Sequence, residues 1–276
     1  IKTFGEKHPQ VIYSPNDLGR ILYLKEQLQD AENMHRDALE LAKKSWDGPH
    51  PEIARSYRHL GRALLAQGKT EEARQSFTRA IETNRAILGE QHPYLAFSLI
   101  DMARFLQEIG EFDSVRSLYQ QGIDIYIINY GEDHPAIASA YSLLSQYFVK
   151  TNQLDTAETY YSRAIEILRQ NFSPLHPELA APLMGLGNIY LMKGDVKGAE
   201  PFLRESLQIR MLRLPVGHSR IALNESLLGE SLARQNKNEE AKPLLTAGYE
   251  GLRTRYGENH ELVREAKNRM SLIDTY

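Results

Sequence analysis

The sequence predicts an all-α solenoid, and three observations carry that reading. The pair His-Pro recurs at His8-Pro9, His50-Pro51, His92-Pro93, His134-Pro135 and His176-Pro177, and His218-Ser219 and His260-Glu261 continue it without the proline. Every step is 42 residues, with no insertion or deletion. Between these marks, apolar and small residues fall on two helical faces. A fixed period in this range describes units that bury their apolar faces only against their neighbours.

The stretch from Pro51 to His92 serves as the template. Its first helix carries Ala54, Tyr57, Leu60, Gly61 and Leu64; Gly68-Lys69 makes a turn; the second helix carries Ala73, Phe77, Ala80 and Ile81. Later units repeat the pattern as Tyr141, Leu144, Phe148, Ala157, Tyr161 and Ala164, and as Leu186, Gly187, Tyr190, Ala199 and Leu203. The glycine before a His-Pro mark (Gly89, Gly131) suits a left-handed helix end, and the proline suits the next helix start.

In register, these positions resemble the tetratricopeptide pattern, aromatic-x-x-Leu-Gly-x-x-Tyr followed by Ala-x-x-x-Phe-x-x-Ala. Each unit here is longer than the usual repeat and includes the His-Pro segment, a form similar to the kinesin-light-chain type. The resemblance covers the whole chain. It implies a right-handed superhelix of antiparallel helix pairs, a single domain over 1–276 with repeats at 8–49, 50–91, 92–133, 134–175, 176–217 and 218–259.

The ends and the first unit depart from the template. Residues 1–7 match the end of a second helix, so the chain is expected to begin inside a repeat with at least one more repeat or another domain upstream. Ser14-Pro15-Asn16-Asp17 reads as an N-cap with proline at the first helical position, which predicts a short or bent first helix. His35 takes the place of Phe77 and is expected to be a hydrogen-bonded core residue. Residues 260–276, with Leu262, Ala266, Met270 and Ile273 on one face, form a capping helix over the last apolar surface.

Composition narrows the function classes. A net charge of −3 gives no global pull toward nucleic acid or anionic membrane, so neither is expected as a partner. The absence of cysteine excludes disulfides and thiol chemistry. No apolar run approaches the roughly 20 residues that span a bilayer, and no signal peptide is visible, so a cytoplasmic chain is expected. The histidines in register invite a metal reading, but helices pack about 8–10 Å apart, too far for successive rings to share an ion. They are expected to hydrogen-bond and pack between repeats. No Walker loop, His-Glu-x-x-His or Gly-x-Ser-x-Gly is present, so no catalysis, cofactor or metal is expected.

What remains is protein interaction. The resemblance implies a concave groove lined by the first helix of each pair, and carried over residue by residue it gives Arg20, Arg55, Arg58, Arg62, Phe97, Arg104, Met184, Asn188 and Leu191. Arg55, Arg58 and Arg62 share one helix face, with Arg20 and Arg104 on either side. Guanidinium forks suit carboxylates, so an acidic partner segment is expected there, continuing over apolar residues around Met184 and Leu191. The second helices repeat charge pairs at Glu40–Lys43, Glu82–Arg85, Glu166–Arg169 and Glu250–Arg253, which predict a solvated outer face. Tyr126 and Ile127 break that pattern and are expected to be exposed, available for self-association. The stretch from Asn224 to His260 also resembles repeat regions of large bacterial serine/threonine kinases. The rival readings are therefore a regulatory, self-assembling region of such an enzyme and a nucleic-acid-binding solenoid, which needs a basic stripe through most repeats.

Overall fold

The computed structural model describes the backbone of residues 9–273 and side chains from residue 15 onward. Residues 1–7, read as the end of a preceding repeat, lie outside it, as does His8. Among the described residues there are thirteen α-helices and no strand, and the helices pack as consecutive pairs. The chain forms two compact units, one ending at Glu132 and the other beginning at Asp133.

The first unit holds α1 (Pro9–Leu24), α2 (Leu28–Ser45), α3 (Pro51–Ala66), α4 (Thr70–Leu88), α5 (Pro93–Glu108) and α6 (Val115–Tyr130). The second holds α7 (Pro135–Lys150), α8 (Leu154–Asn171), a 3-10 turn at Pro177–Leu179, α9 (Ala180–Lys193), α10 (Val196–Arg213), α11 (Ser219–Ala233), α12 (Asn238–Tyr256) and α13 (Glu261–Met270). Helix α1 runs through Pro15 instead of starting there, which corrects the reading of Ser14-Pro15 as its beginning. The capping helix is shorter than its sequence allowance, yet Val263 and Ala266 are buried against α11 and α12.

The period is built from three local devices. His50, His92, His134, His176, His218 and His260 each accept the backbone N–H two residues ahead on Nδ1, at 3.1–3.4 Å. Each ring thereby satisfies one of the orphan donors at a helix start, the task usually given to Ser, Thr, Asp or Asn. In four of the six pairs, where the motif position is Gly19, Gly61, Gly187 or Gly229, the glycine lets the second helix come close. A Cβ on Gly61 would lie 2.9 Å from the Phe77 ring, one on Gly187 2.6 Å from Leu203, and one on Gly229 2.7 Å from Leu245.

The third device is the hairpin. Glu26, Gly68, Gly110, Asn152, Gly194 and Asn236 stand 42 residues apart, and all have positive φ, from 57° to 86°. Gly and Asn tolerate that region, whereas glutamate does not. We expect Glu26→Gly to raise the stability of the first unit by about 1 kcal/mol, read as a higher urea midpoint; an unchanged or lower midpoint would show that Glu26 is unstrained.

Consecutive repeats are also tied by ion bridges. Glu32 is buried and accepts from Lys69, Gln67 and Arg36 at 2.6–2.8 Å. The same set recurs as Glu200 with Lys237, Gln235 and Arg204. Burial would raise both carboxyls, but these donors reverse that and hold each at about 2. Between α4 and the turn after α5 the polarity is swapped, with Arg74 at the Glu32 position bound to Glu111 at the Lys69 position, 2.6 Å apart.

Candidate functional site

In the first unit, the groove arginines are organised by an acid from the next repeat. Asp101 sits on α5, buried in an otherwise apolar run, and Oδ1 accepts from Arg62 at 2.6 Å and 3.1 Å. Its Oδ2 lies 2.8 Å from Arg58 Nε, although that N–H is not aligned for a hydrogen bond, so charge alone joins the two. Burial would raise the Asp101 carboxyl; Arg62 and Arg58 together outweigh that and hold it below the usual carboxylate range. Arg58 also stacks its guanidinium over the Phe97 ring, 5.0 Å from the centroid.

The other cations are engaged as well. Arg55 reaches Asp17 at 2.9 Å and Glu52 at 3.4 Å, and Arg104 pairs with Glu108 at 3.3 Å. Arg20 is exposed and has no ion-pair partner among the described residues. The expected row of open guanidinium groups is thus a mixed-charge cluster in which Arg58 is half-buried. Beside it lies a cavity of about 190 Å³ walled by Pro51, Glu52, Arg55, Arg58, Tyr94 and Phe97. Asn84 closes its floor, donating to Tyr94 O and Ser98 Oγ at 3.0 Å while its own buried Oδ1 has no partner.

Tyr126 belongs to this neighbourhood and not to the outer surface. Only 2% of it is exposed, and its ring meets Phe97 edge-on at 5.4 Å. The reason lies in the register: Tyr126 stands where Asn84 stands, and Asn84 is itself buried against the following first helix. Ile127 is half-buried, so the expected exposed pair is corrected on both residues. The outward apolar residues of α6 are Ile128, 63% exposed, and Tyr130.

Helix α2 places a second polar chain behind α3. Asn16 Nδ2 donates to Ser56 Oγ at 2.8 Å, Asn16 Oδ1 meets His35 Nδ1 at 3.1 Å, and the His35 ring stacks on His59 with centroids 5.3 Å apart. His35 is the hydrogen-bonded core residue that its position implied. Burial, with Arg55 nearby, pushes its ring down to about 4, and burial with Arg58 pushes His59 well down too.

The second unit has its own groove on the first-helix face. A cavity of about 430 Å³ runs across α7, α9, α11 and α13, touching Val149, Met184, Asn188, Leu223 and Leu262 with Glu265 and Arg269 at its edge. Met184 and Asn188 lie in it, whereas Leu191 is packed into the core beside Leu203 and Leu232, and Met192 takes the exposed place. No group of histidines and acids among the described residues could hold a metal ion. No helix among them is long and apolar enough to cross a membrane.

The outer-face charge pairs form differently from their expected spacing. Glu250–Arg253 is made, but Glu82 pairs with Arg79, Glu166 with Arg163, and Arg169 reaches forward to Glu205 in the next repeat. Sequence spacing missed Asp101 as well; its signal was a lone carboxylate inside the run LAFSLIDMARFL.

Among known structures, the kinesin light chain nearly identical TPR-like repeats of Podosopora anserina superpose with a TM-score of 0.60 at 20% identity, covering 76% of this chain and 99% of that one. BtubC (BKLC) from P. vanneervenii gives 0.62 at 19% identity, over 74% and 81%. The apo quorum sensor NprR from B. thuringiensis gives 0.64 at 16% identity, over 95% and 68%. At these identities the likeness is one of fold. No curated protein matches the chain in sequence at a significant level. The tetratricopeptide repeat profile matches residues 11–86, 52–128 and 150–211. With the profile spanning more than half of the sequence and the helix pairs, motif glycines and hairpins in its register, the chain belongs to the tetratricopeptide repeat family.

Proposed function

We propose that the chain is a non-catalytic scaffold that takes up a segment of a partner protein along its first-helix faces. The observation that carries this reading is the cavity between α3 and α5, where Arg55, Arg58, Tyr94 and Phe97 surround a space of about 190 Å³, enough for one side chain. The apolar groove with Met184 and Asn188 in the second unit supports it. The partner segment carries a carboxylate, met by Arg20, with Arg55 beside it shared between Asp17 and Glu52. Arg58 contributes through its place in the cavity wall, its charge being absorbed by Asp101. The same internal pairing disfavours a nucleic-acid solenoid, which needs cations open toward phosphate.

Displayed random peptides selected on the chain should converge on sequences containing Asp or Glu. For a selected peptide, the double substitution Arg20→Glu with Arg55→Glu should weaken binding about tenfold or more, because a hydrogen bond to a charged group is worth about 1.5–3 kcal/mol. Arg169→Glu, on a second helix, should leave calorimetric affinity unchanged. Selection without acidic enrichment, or equal affinity for the double variant, would overturn the acidic partner.

A further inference from the structure

Three departures from the repeat meet in one groove of the second unit. The position filled by Pro15, Tyr57, Leu99, Tyr141 and Leu183 in the other repeats holds Glu225 in α11. Ile125, Ile167 and Ile209 are succeeded by Gly251 in α12, and the cation of Lys43, Arg85, Arg169 and Arg253 is replaced by Met211 in α10. The groove they share has a volume of about 390 Å³ and is completed by Leu214, Val216 and Ile221. It lies between the second helices α10 and α12, with α11 as its floor.

Its surface is apolar and open. Met211 is 62% exposed, and Val216 is fully exposed at 103%. Glu225 is half-buried in the wall and has no hydrogen-bond or ion-pair partner among the described residues. Nearby Glu250 is already held by Arg253. An unpartnered carboxylate losing water to apolar neighbours is destabilising, and burial raises the Glu225 carboxyl accordingly. Leucine or tyrosine, the residues that four of the other five repeats use, would serve the fold better. Groups that depart from fold economy in this way mark binding sites.

We infer that this groove is a second docking site, independent of the first-helix grooves, for a partner protein segment in which one arginine or lysine is flanked by aliphatic side chains. The aliphatic groups cover Met211, Val216 and Ile221, and the cation forms a charge-assisted hydrogen bond with Glu225 that the unbound chain lacks. An acidic segment, the ligand class of the first-helix groove, is repelled here.

The probes are two short fluorescein-labelled peptides, one with arginine between leucine pairs and one with glutamine in its place, followed by fluorescence anisotropy on the full chain. The arginine peptide should bind about tenfold more tightly or better. Glu225→Gln should erase the difference, and Met211→Arg, a surface change, should weaken the arginine peptide at unchanged melting temperature. Arg20→Glu with Arg55→Glu should have no effect, which separates this site from the first-helix groove. Absence of binding, or an arginine preference that survives Glu225→Gln, overturns the inference. So does self-association of the wild type that Met211→Arg abolishes, since a second copy would then be the occupant.

Discussion

Asp101→Ala should destabilise the first unit by about 3–5 kcal/mol, the loss expected when one partner of a buried ion pair is removed and the other stays behind. Asp101 is almost fully buried between Arg58 and Arg62. Arg62 is partly exposed and can turn to water. Arg58 is more covered, its side chain 15% exposed and its guanidinium held against Phe97. The chain has a single tryptophan, Trp46, stacked on His50 within the same unit, so its fluorescence reports on that unit. The expected result is a large fall in the urea midpoint, mostly restored when Arg58→Met is combined with Asp101→Leu. A loss below about 1 kcal/mol would place the cluster among ordinary surface pairs.

The second large effect is acid sensitivity. His35 has a folded value of about 4 against 6.5 in its ordinary state, so the unfolded chain binds the proton more readily. Stability is therefore complete above about pH 6.5 and falls as the pH drops toward 4. His35 alone accounts for about 3 kcal/mol of that loss. His59, stacked against it and shifted in the same direction, adds to it. The Glu32 carboxyl weakens the fold only below its ordinary 4.5, so within the first unit the interval between 6.5 and 4.5 is governed by the imidazoles. Midpoints measured across that interval should fall steeply in the wild type and less in His59→Leu. A flat profile would mean that the pair stays neutral in both states.

The repeats were readable because their signals are local and periodic. The His-Pro beat, Gly61 against Phe77 and the turn at Gly68 each depend on residues close in sequence, so spacing alone locates them. The groove was legible only as a face. Its electrostatics depend on Asp101 crossing from the next repeat to Arg58 and Arg62, and register comparison aligns like positions without revealing which unlike ones touch. The same blindness misplaced Tyr126. Asn84, at the equivalent position, is polar by type, yet its side chain bonds Ser98 in the interior. Leu191 was misjudged by a single helical step, since the exposed residue at that edge is Met192.

The swapped ion bridge gives the repeats an order. With Glu32 facing Lys69 and Arg74 facing Glu111, the first two joints of the array carry opposite polarity. Excision of residues 50–91 would keep the period, the caps and the hairpins intact, yet it would set Glu32, already buried, against Glu111. Loss or duplication of this repeat therefore leaves an electrostatic scar at the joint. Identical geometry makes these units interchangeable in shape; their charges make them distinguishable in sequence of assembly.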